Sequence, residues 1–192
     1  DGYNIVILDD GFQDYNIKKD LSIICFNQNQ LIGNGYILPA GPLRESLRSL
    51  LNANLVLING KHDQDFETKI LKINKNLEIF YSQYVPVNIN EFTNHKLLAL
   101  AGIANPENFF MLLEKNNLKV EKKIIFPDHH KFTRKDLQNI INIAKKNNLK
   151  IVTTEKDFFK IDDFKLRDFN YLKVSLQIFE KEKFLNKIKN YL

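Results

Sequence analysis

The sequence of 192 residues has a hydrophobic fraction of 44% and a formal net charge of +5, which is typical of a globular protein and excludes a disordered tail. No stretch approaches the roughly 18 apolar residues of a membrane span, so any membrane association is expected to be peripheral. The single Cys25 excludes a disulfide framework, and its apolar neighbours predict a buried, inert thiol in a reducing cytoplasm. The basic residues form no stripe of the kind that nucleic acids require.

Apolar runs alternate with helical patterns along the chain, which predicts an α/β architecture. The predicted strands cover residues 4–8, 21–26, 54–59, 77–85, 96–102, 122–126, 150–154 and 169–176. The predicted helices cover residues 43–52, 66–75, 106–116, 134–147 and 180–190. Pro86 and several asparagines interrupt the pattern near residues 85–95, so we expect one α/β unit over residues 1–88 and a second over residues 89–192.

Two adjacent acids follow the first predicted strand, in the stretch ILDDGFQ at residues 7–13. Like charges repel each other, so a cation is expected close to Asp9 and Asp10. An apolar strand that carries an acid at its carboxyl end has the form of a Walker B strand, whose acid helps to hold Mg²⁺ at nucleotide phosphates. An exposed turn is the alternative, because Asp-Gly is also a common turn sequence.

The second stretch is GNGYILPAGPLRE at residues 33–45, where three glycines and two prolines surround a short apolar core. It ends in Arg44 and Glu45 at the start of a predicted helix. Backbone amides at a helix start favour anions, and Arg44 can form a fork with phosphate oxygens while Glu45 reaches a metal. The alternative is a surface pair of opposite charges beside a tight turn.

The third stretch is FPDHHKFT at residues 126–133, between a predicted strand and a predicted helix. Histidine titrates near neutrality and a carboxylate can orient it, so His129 beside Asp128 has the residue types for proton transfer. A zinc site is disfavoured, because no second pair of histidines has the spacing of ligands. The alternative role is a polar group at a helix entry, which we prefer for His130.

The fourth stretch, VTTEKDFFKI at residues 152–161, ends a predicted strand. Its polar residues are Thr153, Thr154, Glu155, Lys156 and Asp157. Such side chains either contact a ligand at the end of a strand or cap the helix that follows. The sequence favours neither role over the other.

These stretches, with GIANPENFF at residues 102–110 between the second and third, resemble the tetraacyldisaccharide 4'-kinase family in their order along the whole chain. The resemblance implies a P-loop-NTPase-like parallel sheet, incomplete at its N-terminus, followed by a smaller α/β domain. It implies ATP and Mg²⁺ as cofactors for phosphorylation of the 4'-hydroxyl of an acylated glucosamine disaccharide in lipid A biosynthesis. It also implies peripheral contact with the cytoplasmic face of the inner membrane, and we expect a monomer.

The resemblance further assigns roles to residues of the first three stretches. It implies Asp9 and Asp10 at the metal, Gln13, Arg44 and Glu45 at the nucleotide, and His129 as the catalytic histidine. The family's phosphate loop, G-x-x-x-x-G-K-[ST], is absent from this sequence, so we expect that an N-terminal portion is missing and that this polypeptide alone is inactive. Two alternatives are a non-catalytic nucleotide- or phosphate-binding module and a metal-dependent phosphatase with Asp9 as nucleophile.

Overall fold

The computed structural model describes residue 2 and residues 4–191. Eight strands are β1 (Ile23–Asn27), β2 (Leu55–Asn59), β3 (Glu78–Pro86), β4 (Lys96–Ala101), β5 (Lys119–Ile125), β6 (Lys150–Thr154), β7 (Phe169–Leu172) and β8 (Val174–Ile178) in this part of the chain. Five α-helices are α1 (Gln64–Leu71), α2 (Pro106–Lys115), α3 (Arg134–Lys146), α4 (Glu155–Asp162) and α5 (Lys181–Lys189), and the 3₁₀ helices cover Leu47–Asn52 and Ile89–Glu91. The predicted α/β class is confirmed.

The chain forms two compact units, which divide at Tyr84 and Val85 and again at Ser175 and Leu176. The segment from Leu176 onward belongs to the first unit, whereas the sequence predicted one division between residues 88 and 89. The return has a physical reason, because β8 joins the sheet of the first unit and α5 packs on it. The aromatic ring of Phe184 on α5 lies edge-on to Phe80, with the ring centroids 5.1 Å apart.

The first unit has a four-stranded sheet in the order β1-β2-β3-β8. β1, β2 and β3 are parallel, and their apolar side chains pack on both faces, with α1 over one face and α5 over the other. Phe179 N–H donates to the carbonyl of Tyr81 at 3.0 Å, and Gln83 bonds Gln177 at 3.0 Å. Residue numbers therefore fall along β8 as they rise along β3, so this pair is antiparallel.

The second unit has an all-parallel sheet in the order β5-β4-β6-β7. Its central strand β4 is buried on both faces, as a sheet covered by helices on both sides requires. Leu97 and Ala99 pack with α2 on one face, whereas Leu98 and Leu100 pack with α3 on the other. This alternation follows from the two-residue period of a strand.

Residues 4–8, predicted as the first strand, form no strand in the described chain. Ile5, Val6 and Ile7 are 55%, 80% and 89% exposed. A strand requires ladder hydrogen bonds to a neighbour, and in the described chain β1 pairs with β2 and not with residues 4–8. The prediction of a strand is therefore wrong here, and Asp9 and Asp10 follow an irregular segment.

The helix predicted over residues 43–52 is also wrong in extent and type, because only Leu47–Asn52 is helical and it is a 3₁₀ helix. Leu43 is engaged elsewhere: its N–H donates to the carbonyl of Tyr36, and its carbonyl accepts from Leu38. These bonds close residues 36–43 into a loop, so no helix begins there. Arg44 and Glu45 consequently precede the helix instead of starting it.

Two further predictions differ from the structure. The predicted strand over residues 169–176 is two strands, because Lys173 lies between β7 and β8 and belongs to neither. Its N–H donates to the side chain of Asn88 at 2.8 Å. Cys25 is exposed and not buried, because β1 is an edge strand. Partial desolvation still raises the pKa of the Cys25 thiol, so its thiolate is scarce at neutral pH.

Helix α3 begins with a capping box formed by Thr133 and Asp136. The hydroxyl of Thr133 accepts from Asp136 N–H at 3.2 Å, and the Asp136 carboxylate accepts from Thr133 N–H at 3.0 Å. Hydrogen bonds from Thr133, followed by the nearby His130, lower the pKa of the Asp136 carboxyl below its usual value. The ionised carboxylate therefore stabilises the fold above the ordinary pKa of aspartate, and this contribution is lost as the pH falls through the lowered pKa.

Thr133→Ala is expected to lower the free energy of unfolding by about 1 kcal/mol near neutral pH, because it removes the N-cap acceptor. Asp136→Asn is expected to destabilise the protein near neutrality but to match the wild type in acid, where both side chains are uncharged. Urea unfolding at several pH values measures both effects. Ser46→Ala is the control, because the Ser46 side chain makes no cap bond among the described residues. An equal loss in the control would contradict the assignment.

Among the residues that the structure describes, no helix combines the length and apolar character needed to cross a bilayer.

Candidate functional site

The two charged stretches of the first unit lie against each other. Arg44 Nη1 donates to Asp10 Oδ2 at 2.5 Å, and both side chains are more than half exposed. This contact supplies the cation that the adjacent acids predicted. Asp10 itself has a left-handed backbone with φ of 55°, a conformation that aspartate tolerates better than most residues.

A second contact joins the same two segments. The Tyr15 hydroxyl lies 2.8 Å and 2.7 Å from the two carboxylate oxygens of Glu45, and this hydrogen bond raises the pKa of the Tyr15 phenol. The sequence analysis did not identify Tyr15, because no local pattern shows a contact between residues thirty positions apart. The two contacts together place Asp10 and Glu45 on neighbouring segments.

The other predicted residues of the first stretch lie in the same loop. Asp9 is exposed, and Gln13 is half-buried in a turn that Asp14 N–H closes on the carbonyl of Gly11 at 3.2 Å. Within the described chain, no three histidine, cysteine or acidic side chains are grouped closely enough to hold a metal ion. Mg²⁺ usually binds to one or two carboxylates together with waters and substrate phosphates. The acids near Arg44 therefore fit a magnesium–nucleotide site but not a protein-only metal cage.

In the second unit, the carboxyl edge of the parallel sheet brings two stretches together. β5 leads into the loop with Asp128 and His129, and β6 leads directly into α4 with Lys156 in its first turn. His129 N–H donates to Asp128 Oδ1 at 2.9 Å, and Lys156 Nζ lies 3.6 Å from the same oxygen. The ends of parallel strands meet at one edge, which explains this approach of residues far apart in sequence.

His129 is the most exposed member of this group. Its side chain is 79% exposed, and its Nε2 lies 3.6 Å from Asp128 Oδ2. Its backbone has a φ of 58°, which is uncommon for a residue other than glycine and is found disproportionately at functional sites. The imidazole is thus accessible to a substrate and lies beside a carboxylate.

His130 has a structural environment. Its ring packs between Phe126 and Phe132, with centroid distances of 4.5 Å and 5.2 Å, and its Nε2 lies 3.5 Å from Asp136 at the start of α3. This is the helix-entry role that the sequence analysis preferred for His130.

Asp157, a residue of the fourth stretch, is fully buried and connects three segments. Its carboxylate accepts from Gly102 N–H at 2.7 Å and from the Thr154 hydroxyl at 2.9 Å, and it pairs with Lys160 at 3.0 Å. The Thr154 hydroxyl in turn accepts from Asp157 N–H and caps α4. The stretch therefore caps a helix, and the same bonds fix the position of Lys156 between Thr154 and Asp157.

The parallel sheets and the charged groups at a carboxyl edge define an α/β protein of the class that binds ligands at such edges. The family model described as tetraacyldisaccharide-1-P 4'-kinase (LpxK) matches residues 1–192. The chain therefore belongs to the tetraacyldisaccharide 4'-kinase family.

Individual relatives agree with the family model. The chain is 39% identical over 191 residues to a tetraacyldisaccharide 4'-kinase of Pelagibacter ubique, covering 98% of the chain and 61% of the relative. It is 37% identical over 164 residues to that of Rickettsia bellii, covering 83% of the chain and 49% of the relative. The chain thus spans about half to three fifths of the length of these curated relatives.

A solved structure has the same fold. The crystal structure of LpxK from Aquifex aeolicus in complex with ATP superposes with a TM-score of 0.65 at 20% sequence identity. The superposition covers 94% of this chain and 55% of the Aquifex chain. The P-loop-like α/β fold predicted from the sequence is therefore supported by both the sheet topology and this neighbour.

Proposed function

We propose that this chain is part of a kinase that transfers the γ-phosphoryl group of ATP to the 4'-hydroxyl of tetraacyldisaccharide 1-phosphate, a step of lipid A biosynthesis. The observation that carries the proposal is the match of the family model to residues 1–192. The ATP in the Aquifex structure supports ATP as the phosphoryl donor. The contacts within each unit are compatible with this chemistry.

In this proposal His129 is the general base for the attacking sugar hydroxyl. An accessible imidazole within reach of a hydroxyl can accept its proton near neutral pH. Asp128 holds the loop through the His129 N–H at 2.9 Å, and its other carboxylate oxygen lies 3.6 Å from the imidazole Nε2. The proton moves from the sugar oxygen to an imidazole nitrogen as that oxygen bonds to the γ-phosphorus, and the bond from the γ-phosphorus to the bridging oxygen breaks to release ADP.

The acids and arginine of the first unit serve the nucleotide. Asp9, Asp10 and Glu45 supply carboxylates for magnesium, Arg44 supplies a guanidinium for phosphate oxygens, and Gln13 lies in the loop of the acids. Bound Mg²⁺ would neutralise charge on the phosphates. The Tyr15 hydroxyl donates to the Glu45 carboxylate, with its oxygen 2.7 Å and 2.8 Å from the two carboxylate oxygens, which limits the movement of that carboxylate.

The acyl chains of the proposed acceptor place it in a membrane. We therefore infer peripheral contact of the kinase with the cytoplasmic face of the inner membrane, where ATP is available. Co-sedimentation of the full reading frame with vesicles that contain the acceptor tests this contact. A protein that stays in the supernatant in the presence of these vesicles would contradict it.

A kinase assay on the full reading frame tests the proposed reaction. We expect transfer of label from γ-labelled ATP to tetraacyldisaccharide 1-phosphate in the presence of Mg²⁺, and no transfer after chelation of the metal. Release of inorganic phosphate from the 4'-phosphorylated product without ATP would favour the phosphatase alternative. Binding of ATP without transfer to any acylated disaccharide would favour a non-catalytic module.

A further inference from the structure

The topology of the second unit marks one position on its sheet as suited to a ligand. From β4 the chain passes to β5 on one side and then returns to β6 on the other. In open parallel sheets, the crevice at such a reversal of strand order is where ligands bind, outside the carboxyl ends of the two strands. Here those two strands are β4 and β6, and Lys156 comes two residues after the end of β6.

Lys156 is available to a ligand at this position. Its side chain is 52% exposed, and its ammonium nitrogen lies 3.6 Å from Asp128 Oδ1, which is an ion-pair distance but too long for a strong hydrogen bond. An ammonium group has three donors, so the pair leaves capacity for an anion. Asp128 also contacts His129, and one carboxylate therefore holds the lysine and the histidine side by side.

Buried groups close to Lys156 in sequence fix the position of its backbone. The adjacent Asp157 is fully buried, and its bond from Gly102 N–H at 2.7 Å joins the start of α4 to the end of β4. Thr153, on β6, is also buried and donates to the carbonyl of Leu100 on β4 at 2.9 Å. A residue between such anchors loses little backbone freedom when it binds a ligand, which favours affinity.

We propose that Lys156 binds a phosphate oxyanion of a substrate beside His129. The proposal rests on the proposed function, in which two substrates carry phosphate: the nucleotide and the lipid disaccharide 1-phosphate. A lysine suits this role, because it binds phosphate as a point charge. The contact brings the substrate phosphate next to the histidine that is proposed to accept the proton.

Steady-state kinetics of Lys156→Met in the full reading frame distinguish the two phosphates. Loss of one charge-assisted hydrogen bond is expected to cost about tenfold. A higher KM for ATP alone assigns Lys156 to the nucleotide, and a higher KM for the lipid acceptor alone assigns it to the 1-phosphate. A lower kcat with unchanged KM values assigns it to the phosphoryl group in transfer.

Two control variants separate this role from a structural one. Lys156→Arg retains the positive charge and should recover part of the loss, whereas a purely structural defect would not respond to the charge. Lys135→Met removes an exposed lysine of α3 and should leave both KM values and kcat unchanged. Lys156→Met kinetics equal to those of the wild type would overturn the proposal.

A binding measurement keeps the proposal testable if no kinase activity is found. Tripolyphosphate titrated into the isotope-labelled chain should shift the amide resonances of Gly102, His129 and Lys156, and Lys156→Met should weaken binding about tenfold. Shifts without kinase activity would retain the anion site and reject the proposed reaction. Kinase activity with normal Lys156→Met kinetics and no shifts would reject the anion site alone.

Discussion

His129→Ala in the full reading frame is expected to lower kcat about 100-fold or more near neutral pH, because loss of a general base typically costs 10²–10⁴-fold. The KM values should change less, since the imidazole acts on the proton of the hydroxyl and contributes little to ground-state binding. Initial rates at saturating ATP and acceptor measure the effect. At high pH the variant should recover part of the lost rate, because hydroxide can then accept the proton in place of the missing imidazole.

The backbone of His129 calls for a second variant. Its φ of 58° is a conformation that asparagine adopts more readily than alanine. His129→Asn therefore preserves the loop while removing the base, and it should lose as much activity as His129→Ala. His95→Ala removes an exposed histidine from the same unit and should behave as the wild type. A kcat of His129→Asn close to the wild-type value would remove His129 from the chemistry.

The sheet strands with the clearest apolar patterns were predicted well from the sequence. β4 was predicted over residues 96–102 and found at Lys96–Ala101, and β6 matches its predicted bounds. Their side chains are buried on both faces, so the run of apolar residues alone identifies them. Local pattern and final structure agree wherever burial decides the conformation.

Residues 4–8 and residues 169–176 show where the same reasoning fails. Each has the composition of a strand, but strand formation depends on a hydrogen-bonding neighbour distant in sequence. In the described chain the first segment pairs with no strand, and the second divides between two sheets at Lys173. Periodicity contains no information about which strands pair, so these errors could not be avoided.

The sites were predictable to the extent that charge requires a partner. The adjacent acids Asp9 and Asp10 indicated a nearby cation, and Arg44 forms an ion pair with Asp10. The contact of Tyr15 with Glu45 and the bond from Gly102 N–H to Asp157 were not predictable, because each spans thirty residues or more. A buried aspartate with a backbone N–H partner has no local sequence signature that separates it from a helix cap.

Asp10→Ala is expected to lower magnesium-dependent turnover about 100-fold or more, since removal of one preorganised electrostatic group at the reacting charge typically costs 10²–10³-fold. The carboxylate is the preferred kind of ligand for Mg²⁺, so the variant should also require a higher Mg²⁺ concentration for half-maximal activity. Initial rates across a range of Mg²⁺ concentrations at fixed ATP measure both effects. Added Mg²⁺ should restore only part of the rate.

The ion pair with Arg44 requires that folding and catalysis be separated in this experiment. Both side chains are exposed, at 58% for Arg44 and 65% for Asp10, and exposed pairs contribute at most about 1 kcal/mol. Circular dichroism and urea unfolding of Asp10→Ala should therefore resemble those of the wild type. Asp10→Asn tolerates the backbone φ of 55° and should lose activity in the same way, because the negative charge is what magnesium requires. Asp20→Asn is the control, because it removes an exposed acid of the same unit, and it should retain the normal magnesium response. A normal magnesium response in Asp10→Ala would exclude Asp10 from the metal site.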